Sequence, residues 1–587
     1  MRQLTRLHGA TLQPDGATSF SLWAPDARSV ALRLGDGSVH RLHHQDDGWY
    51  SARISCGAGT HYRFLINDRL SVPDPASRYQ PKGVDGPSCV VDPNAYPWRQ
   101  HDWRGRPWHE TVIHELHPAA YGGFAGISQR LPELRELGVT AIELMPISEY
   151  PGQYNWGYDG VFPFAPKSSL GTPDELKQLI DAAHGLGLMV FLDVVYNHFG
   201  PHGNYLAEYA SAFFDADQHT PWGAAIDFSR PEVADFFCEN ALMWLSDYRL
   251  DGLRLDAVHA ITDQQFLRDL IQRVRGALPS DRYVHLMLEN EHNQASLLEA
   301  GYDAQWNDDG HHALHVLLTG EWESYYSDFA QDTTIKLARC MQEGFIYQGE
   351  TSRSGSSRGE PSGHLPPTAF ILFLQNHDQI GNRALGERLI NLADHRAIKA
   401  ALGLVLLCPM IPLLFMGEEW GCEQPFLYFT DHPDELAKAV REGRRNEFAD
   451  FKAFADEQLR QRIPDPNTAA TYHSSVPNRD AGNPTLQADW FAYYRTLLQT
   501  RHTHIIPRLP GTESDGTHIL GEKAISACWR MGDGSRLRID LNLSEHPVAV
   551  ASPDAASTLI HDYRASLSQD AGLLPGFSSR AVLDPAT

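Results

Sequence analysis

Three acidic residues each close a short apolar run: Asp256 in DGLRLDAVHA, Glu289 in HLMLENEHN and Asp378 in FLQNHDQIGNR. Such a set suits cleavage of a glycosidic bond, which needs one carboxylic acid to protonate the departing oxygen and one carboxylate to attack or support the sugar cation. Arg254 stands two residues before Asp256, so in a strand both side chains share a face. A guanidinium there would hold Asp256 ionised, as a nucleophile requires; the plainer alternative is a structural Arg–Asp pair at a strand end. Glu289 follows a largely apolar run, where partial burial and neighbouring carboxylates should raise its pKa as a general acid needs. Glu291 is close enough to be confused with it but belongs rather to the following loop. His377, Asp378 and Gln379 are an unusually polar end to AFILFLQN, and Asp378 could stabilise a distorted sugar through its hydroxyls while His377 donates to the same substrate.

Two further clusters admit a metal. Asp193, Asn197 and His198 in LDVVYNH could hold a divalent cation, yet no aspartate-rich loop of calcium spacing is present. Support of Arg254 by Asp193 and substrate contact by His198 are favoured. Asp308, Asp309, His311 and His312 in WNDDGHH suggest zinc, but they lack the helical HExxH arrangement, and sugar contact is favoured there too. No metal and no cofactor is expected. Sugar rings present CH faces that stack on aromatic groups, which makes Tyr154, Trp156, Tyr158, Trp222, Trp306, Tyr325 and Tyr326 candidates, although each alone could equally be packing. His259, just beyond Asp256, joins the candidate substrate contacts.

These residues need a scaffold, and the chain has the length for one. At 587 residues it exceeds a single core. No apolar stretch of about 20 residues is present to span a bilayer. The opening MRQLTRLHGATLQPDG lacks the apolar centre of a secretory signal, and a soluble cytoplasmic protein is expected. The seven cysteines are scattered without CxxC spacing and read as unpaired thiols. A net charge of −25 without an acidic block argues against nucleic acid or anionic membranes as partners and suits a neutral ligand.

Residues 1–104 alternate with period two between Gly, Pro and Asp turns, as in SFSLWAPDARSVALRL, GWYSARIS and THYRFLIN, predicting an N-terminal β-sandwich and a connector. From 105 to 494, apolar runs alternate with helical ones. Strands are expected at 111–117, 141–147, 188–196, 252–257, 285–290, 303–308, 370–378 and 411–417, and Thr172 with Glu175 marks a helix start by a capping box. This is the pattern of an α/β (β/α)8 TIM barrel, whose functional residues leave the C-terminal strand ends. A doubly wound sheet would not gather strands four, five and seven around one centre. The stretch 197–231 is too long for an ordinary connection and is expected to wall a cleft; 351–366, poor in apolar residues, looks lid-like. Residues 495–587 return to alternating strands, predicting a C-terminal antiparallel β-domain.

DVVYNH, GLRLDAVHA, LMLENEH and FLQNHD resemble, in order, the four hallmark blocks of the alpha-amylase family of retaining glycoside hydrolases. The resemblance implies Asp256 as nucleophile, Glu289 as general acid and base, Asp378 as transition-state stabiliser, Arg254 beside the nucleophile, His198 and His377 at the cleavage subsite, and Asp193 as support. Nearly the whole chain is similar, more finely, to the maltooligosyltrehalose trehalohydrolase family, through FSLWAPDARSVALRL, PDPASRYQPKGVDGPS, QYNWGYDGVFPFAPKSSLGTPDELKQLIDAAHGLG, DAQWNDDGHHALHVLLTGE and QPFLYFTDH. That likeness implies hydrolysis of the α-1,4 bond beside a terminal trehalose unit without a catalytic metal. It also implies maltooligosyltrehalose and related α-glucans as substrates, and a maltooligosyltrehalose synthase as functional partner. Under it, Asp308, Asp309, His311 and His312 are expected to hold the departing disaccharide. HPAAYGGF, with His117 and Pro118, departs from the family's pattern. Glycogen branching enzymes share the sandwich, barrel and carboxylate trio, and a glucan-binding protein on an inactive barrel is the non-enzymatic alternative; the intact trio speaks against the latter.

Overall fold

The eight apolar runs form one closed parallel barrel in sequence order: β1 (Ile113–Leu116), β2 (Ala141–Leu144), β3 (Met189–Val194), β4 (Gly252–Leu255), β5 (His285–Leu288), β6 (Ala304–Trp306), β7 (Phe370–Leu372) and β8 (Ile411–Phe415). The computed structural model describes residues 8–220, 223–353, 355–448, 454, 456–565 and 572–586; Trp222 and the side chain of Tyr325 lie outside the described residues. Each strand is shorter than its apolar run because the barrel needs only the buried middle, and the polar residues that follow leave the ladder to line its mouth. Ile113, Ala141, Met189, Phe191, Met287, Ile371 and Ile411 fill the interior.

Helices separate the strands, giving a (β/α)8-like core. The one between β2 and β3, Pro173–Gly185, starts as its sequence dictates: Thr172 accepts from the Glu175 backbone N–H at 3.2 Å, and the Glu175 carboxylate accepts from the Thr172 N–H at 2.7 Å. Between β3 and β4 the long connection is not shapeless. It contains a hairpin, Phe214–Thr220 with Gly223–Ile226, and an aromatic cluster in which Phe213 packs edge-on against Phe236 at 5.3 Å. Asp26 ties this excursion to the N-terminal region by accepting from the Ser211 N–H at 2.7 Å.

Before the barrel lie two antiparallel sheets, one built on Thr18–Trp23 and Trp49–Ile54, the other on Val30–Leu34 and His61–Ile66. Alternate residues Phe20, Leu22, Leu32 and Phe64 are buried, the period-two pattern of sheets with one covered face. After β8, helix Pro484–Thr500 runs through residue 494. The expected boundary therefore falls inside a continuous helix, and the C-terminal sheet begins only at Glu513. That sheet has the order Glu513–Gly521, Ala524–Arg530, Arg536–Asn542, Ser578–Asp584, Thr558–Arg564, all antiparallel. It packs against helices His395–Leu407 and Thr333–Glu343. All seven cysteines are free thiols, and no helix of the described residues is long and apolar enough to cross a membrane.

Candidate active site

Arg254 is the hub of the barrel mouth. Residues in register on neighbouring parallel strands face the same way, and Asp193 on β3 pairs with Arg254 on β4. The guanidinium donates to Asp193 Oδ2 at 2.6 Å and to Asp256 Oδ1 at 2.7 Å, lies 3.1 Å from Glu289 Oε2, and sits 4.1 Å over the ring of Trp306. Burial opposes its charge, but Asp193, Glu289 and Asp256 hold it ionised, well above the usual arginine range.

Asp256 is the first residue beyond β4. Both of its oxygens accept, Oδ1 from Arg254 and Oδ2 from Asn197 Nδ2 at 2.9 Å, an arrangement suited to the anion. The chain then turns sharply at Ala257, whose φ of 42° lies in the left-handed region uncommon for residues other than glycine. That turn aims the Ala257 N–H at Glu289 Oε2, 2.7 Å away. Glu289 is the first residue beyond β5, its side chain 19% exposed. Burial pushes its carboxyl well above the carboxylate range, and Asp256, Asp378 and Asp308 add to the rise against the pull of Arg254. The two adjacent carboxyls are thus made chemically different, one poised as a base or nucleophile and the other as an acid.

Asp378 reaches the centre by another route. β7 ends at Leu372, and Asp378 lies in the first turn of a short helix, His377–Gly381, capped by the Asn376 side chain; the expected strand 370–378 is corrected accordingly. Burial would raise its pKa, but the His377 ring beside it brings the carboxyl below the usual range, with His377 Nε2 at 3.3 Å and Asn382 donating at 3.2 Å. Tyr158 donates to Asp193 Oδ2 at 2.6 Å and its oxygen lies 2.8 Å from His377 Nε2. His198 lies 3.0 Å from the Tyr158 carbonyl oxygen through Nε2 and pairs with the Asn197 side chain through Nδ1. With Asp193 Oδ2 occupied by Arg254 and Tyr158, the LDVVYNH cluster is a hydrogen-bonded support for the site. Among the described residues no group of three or more His, Cys, Asp or Glu is placed to hold a metal ion.

The structure therefore gathers Asp193, His198, Arg254, Asp256, Glu289, His377, Asp378, Tyr158 and, at the edge, Asp308. Asp308 accepts from Gln379 Nε2 at 3.1 Å, and burial together with nearby Asp378 raises its pKa to about 7. His259 stays at the rim, partly exposed, accepting from the Glu291 N–H at 3.3 Å. Tyr154 is also partly exposed but stacks on Tyr472 at 5.0 Å.

Other expected contacts are engaged in packing or in buried polar pairs. Asp309 is fully buried: Oδ1 accepts from Arg358 at 2.9 Å, and Oδ2 from Asn293 at 2.9 Å and from the N–H groups of Ile346 and Tyr347 at 2.8 and 3.1 Å. At 0% exposure, neither oxygen is open to a sugar. His311 is buried against Phe373 and sits 2.8 Å from the Leu374 carbonyl oxygen, and burial forces its pKa far down. His312 stacks on Phe329 at 4.9 Å and Tyr326 on His315 at 4.2 Å. Trp306 lies in the barrel interior beneath Arg254. Trp156 is buried against Phe426 with its N–H on the Leu427 carbonyl oxygen at 2.9 Å. Within 351–366, Arg358 is held by Asp309 and also donates to the Glu291 carbonyl at 3.0 Å. Two participants escaped the sequence reading: Asn382, and Glu115 on β1, which holds His377.

Fold and site together define a barrel glycoside hydrolase of the alpha-amylase type, and the alpha-amylase catalytic-domain family matches residues 94–223, with a domain of unknown function matching 512–580. The chain is 41% identical to the malto-oligosyltrehalose trehalohydrolase of Deinococcus radiodurans over 85% of this chain and 83% of that one. It is 35% identical to the same enzyme of Rhizobium sp. strain M-11 over 99% and 100%. A solved Salmonella typhimurium protein named after alpha amylase superposes with a TM-score of 0.92 at 41% identity, over 99% of this chain and 100% of that one. The chain belongs to the malto-oligosyltrehalose trehalohydrolase family.

Proposed function

We propose that the protein hydrolyses the α-1,4-glucosidic bond adjacent to the terminal trehalose unit of a maltooligosyltrehalose, releasing trehalose and a maltooligosaccharide. The observation that carries the chemistry is the split environment of two neighbouring carboxyls: Asp256 accepts at both oxygens from Arg254 and Asn197, while Glu289 is driven up by burial and by adjacent acids. Glu289 protonates the oxygen leaving with trehalose as Asp256 attacks the anomeric carbon and forms a glycosyl ester. Glu289, now ionised, takes a proton from water, which displaces Asp256 and frees the maltooligosaccharide with its configuration retained. Asp378, held ionised beside His377, supports the positive charge that builds on the sugar ring. Full-length similarity to trehalohydrolases favours this over glucan branching on the same trio.

In the same reading, the core is a TIM barrel flanked by an N-terminal β-sandwich and a C-terminal antiparallel β-domain. Tyr158, His198, His259 and Asp308 touch substrate, with Tyr154 further out, while His377, its ring wholly buried, acts through Asp378. A synthase that builds the trehalose end acts upstream, and the protein works in the cytoplasm without a membrane partner. The test is to treat Glu289→Gln with an α-maltosyl fluoride, whose leaving group needs no protonation. A glycosyl adduct mapped by mass spectrometry to Asp256 is expected, and an adduct elsewhere, or turnover with inversion, would defeat the assignment.

A further inference from the structure

Glu115 stands within the fully buried strand β1, 1% exposed. A glutamate so placed is rare unless paired, and its partner is a single residue: Oε2 accepts the backbone N–H of His377 at 3.0 Å and Oε1 lies 2.5 Å from His377 Nδ1. The other ring nitrogen, Nε2, meets the Tyr158 oxygen at 2.8 Å. Tyr158 has one proton, and it lies toward Asp193 Oδ2 at 2.6 Å; its oxygen therefore accepts from Nε2. Nδ1 facing a carboxylate and Nε2 facing an occupied phenol both require a hydrogen, and Nε2 also lies 3.3 Å from Asp378 Oδ2.

Resting on the glycosidase reading above, we propose that Glu115 is a positioning residue: its carboxylate fixes His377 as a doubly protonated imidazolium, and this buried cation, set between Glu115 and Asp378, keeps Asp378 ionised and aimed at the sugar. The surroundings agree. Facing His377 are Glu115 and His117 from β1 and its end, Glu143 from β2, Tyr158 from the loop after β2, and Asp378 on its own helix; the rings of Trp156 and Trp306 complete the wall edge-on at 5.4 and 6.0 Å. His117 is kept neutral by burial, at about 4. Glu143, in register with Glu115, is pushed by burial far above the carboxylate range and adds no charge. The acids in contact with the ring nitrogens are Glu115 and Asp378, and both favour its cationic form despite the burial that opposes it.

The experiment compares kcat/KM against pH for wild type, Glu115→Gln and Glu115→Asp. Glutamine keeps the shape and removes the charge, so His377 should lose its proton within the assayed range. Glu115→Gln should approach wild type at low pH and fall about tenfold per pH unit above a new midpoint, below the alkaline limb of wild type. Glu115→Asp should keep the wild-type profile shape at reduced height. A Glu115→Gln profile parallel to wild type throughout would overturn the proposal, since it would mean a neutral histidine bonded to a protonated Glu115. A second readout needs no folded variant of Glu115. In wild type labelled at the histidine ring nitrogens, the His377 signals, assigned by their absence in His377→Gln, should show both nitrogens protonated and unchanged from about pH 5 to 9; titration of His377 within that window would refute the proposal. If wild type cleaves no α-glucan, the functional reading fails while the nitrogen spectra still decide the charge state.

Discussion

Replacing Asp309 by alanine should unsettle the fold of the barrel mouth and leave sugar choice alone. The carboxylate is fully buried and accepts from Arg358, Asn293 and the N–H groups of Ile346 and Tyr347. Its removal strands a guanidinium that is only 14% exposed and leaves three buried amide donors unmet. Breaking a buried ion pair from one side costs about 3–5 kcal/mol, because the remaining charge has already lost its water. Arg358 also donates to the Glu291 carbonyl, which keeps the loss toward the lower end. Asp309→Asn retains one acceptor and should lose about 1–3 kcal/mol. Urea unfolding of the purified variants gives the stability loss, and kcat/KM on a trehalosyl-ended glucan against a plain maltooligosaccharide gives the preference, expected unchanged within about twofold for soluble protein. Wild-type stability together with a collapsed preference would refute the reasoning, since it would mean the carboxylate reads sugar.

Three other outcomes follow from the same geometry. Arg254→Lys places a point charge where a planar fork reaches Asp193, Asp256 and Glu289, and kcat should fall about 10²–10³-fold; a loss under tenfold in steady-state assays would contradict the hub role. His117 and His312 are held neutral in the fold, at about 4 and about 3, against about 6.5 when unfolded. The unfolded chain takes up their protons first, so stability is complete above about pH 6.5 and declines as pH falls, by about 1.4 kcal/mol per unit for each group. Urea midpoints should drop between pH 6.5 and 5, less steeply in His117→Gln, and a flat profile would be inconsistent with buried neutral histidines. Asp308, raised to about 7, is a neutral acid below that pH. Asp308→Asn should track wild type in kcat/KM at pH 6 and diverge from it above 7, whereas a constant ratio across that range would remove the carboxyl from substrate contact.

The parts of the site that could be read from sequence are those governed by strand geometry. Arg254 and Asp256 stand two apart and do meet, and Glu289 follows its apolar run by one residue, as the barrel rule requires. The DDGHH part of WNDDGHH resisted because it lies on a helix, Asp308–Thr319, where consecutive side chains diverge by about 100°. Asp308 faces the cleft while Asp309 turns inward to Arg358. Trp306 was misplaced for the complementary reason: as the last residue of β6 it points into the barrel interior and lies beneath the guanidinium instead of reaching a sugar face. Tyr326 and Trp156 show that an aromatic residue in a loop is as often spent on packing, and no local pattern tells the two apart. Glu115 carried a legible signal, one acid inside the buried run TVIHELH, but its partner His377 is distant in sequence and only barrel closure brings them together.

The most direct test of the account is product analysis after incubating the purified protein separately with maltopentaosyltrehalose and with maltoheptaose. Rapid release of free trehalose from the first, with little cleavage of the second, is the predicted result. Cleavage or chain transfer on maltoheptaose without trehalose release from the trehalosyl substrate would contradict it.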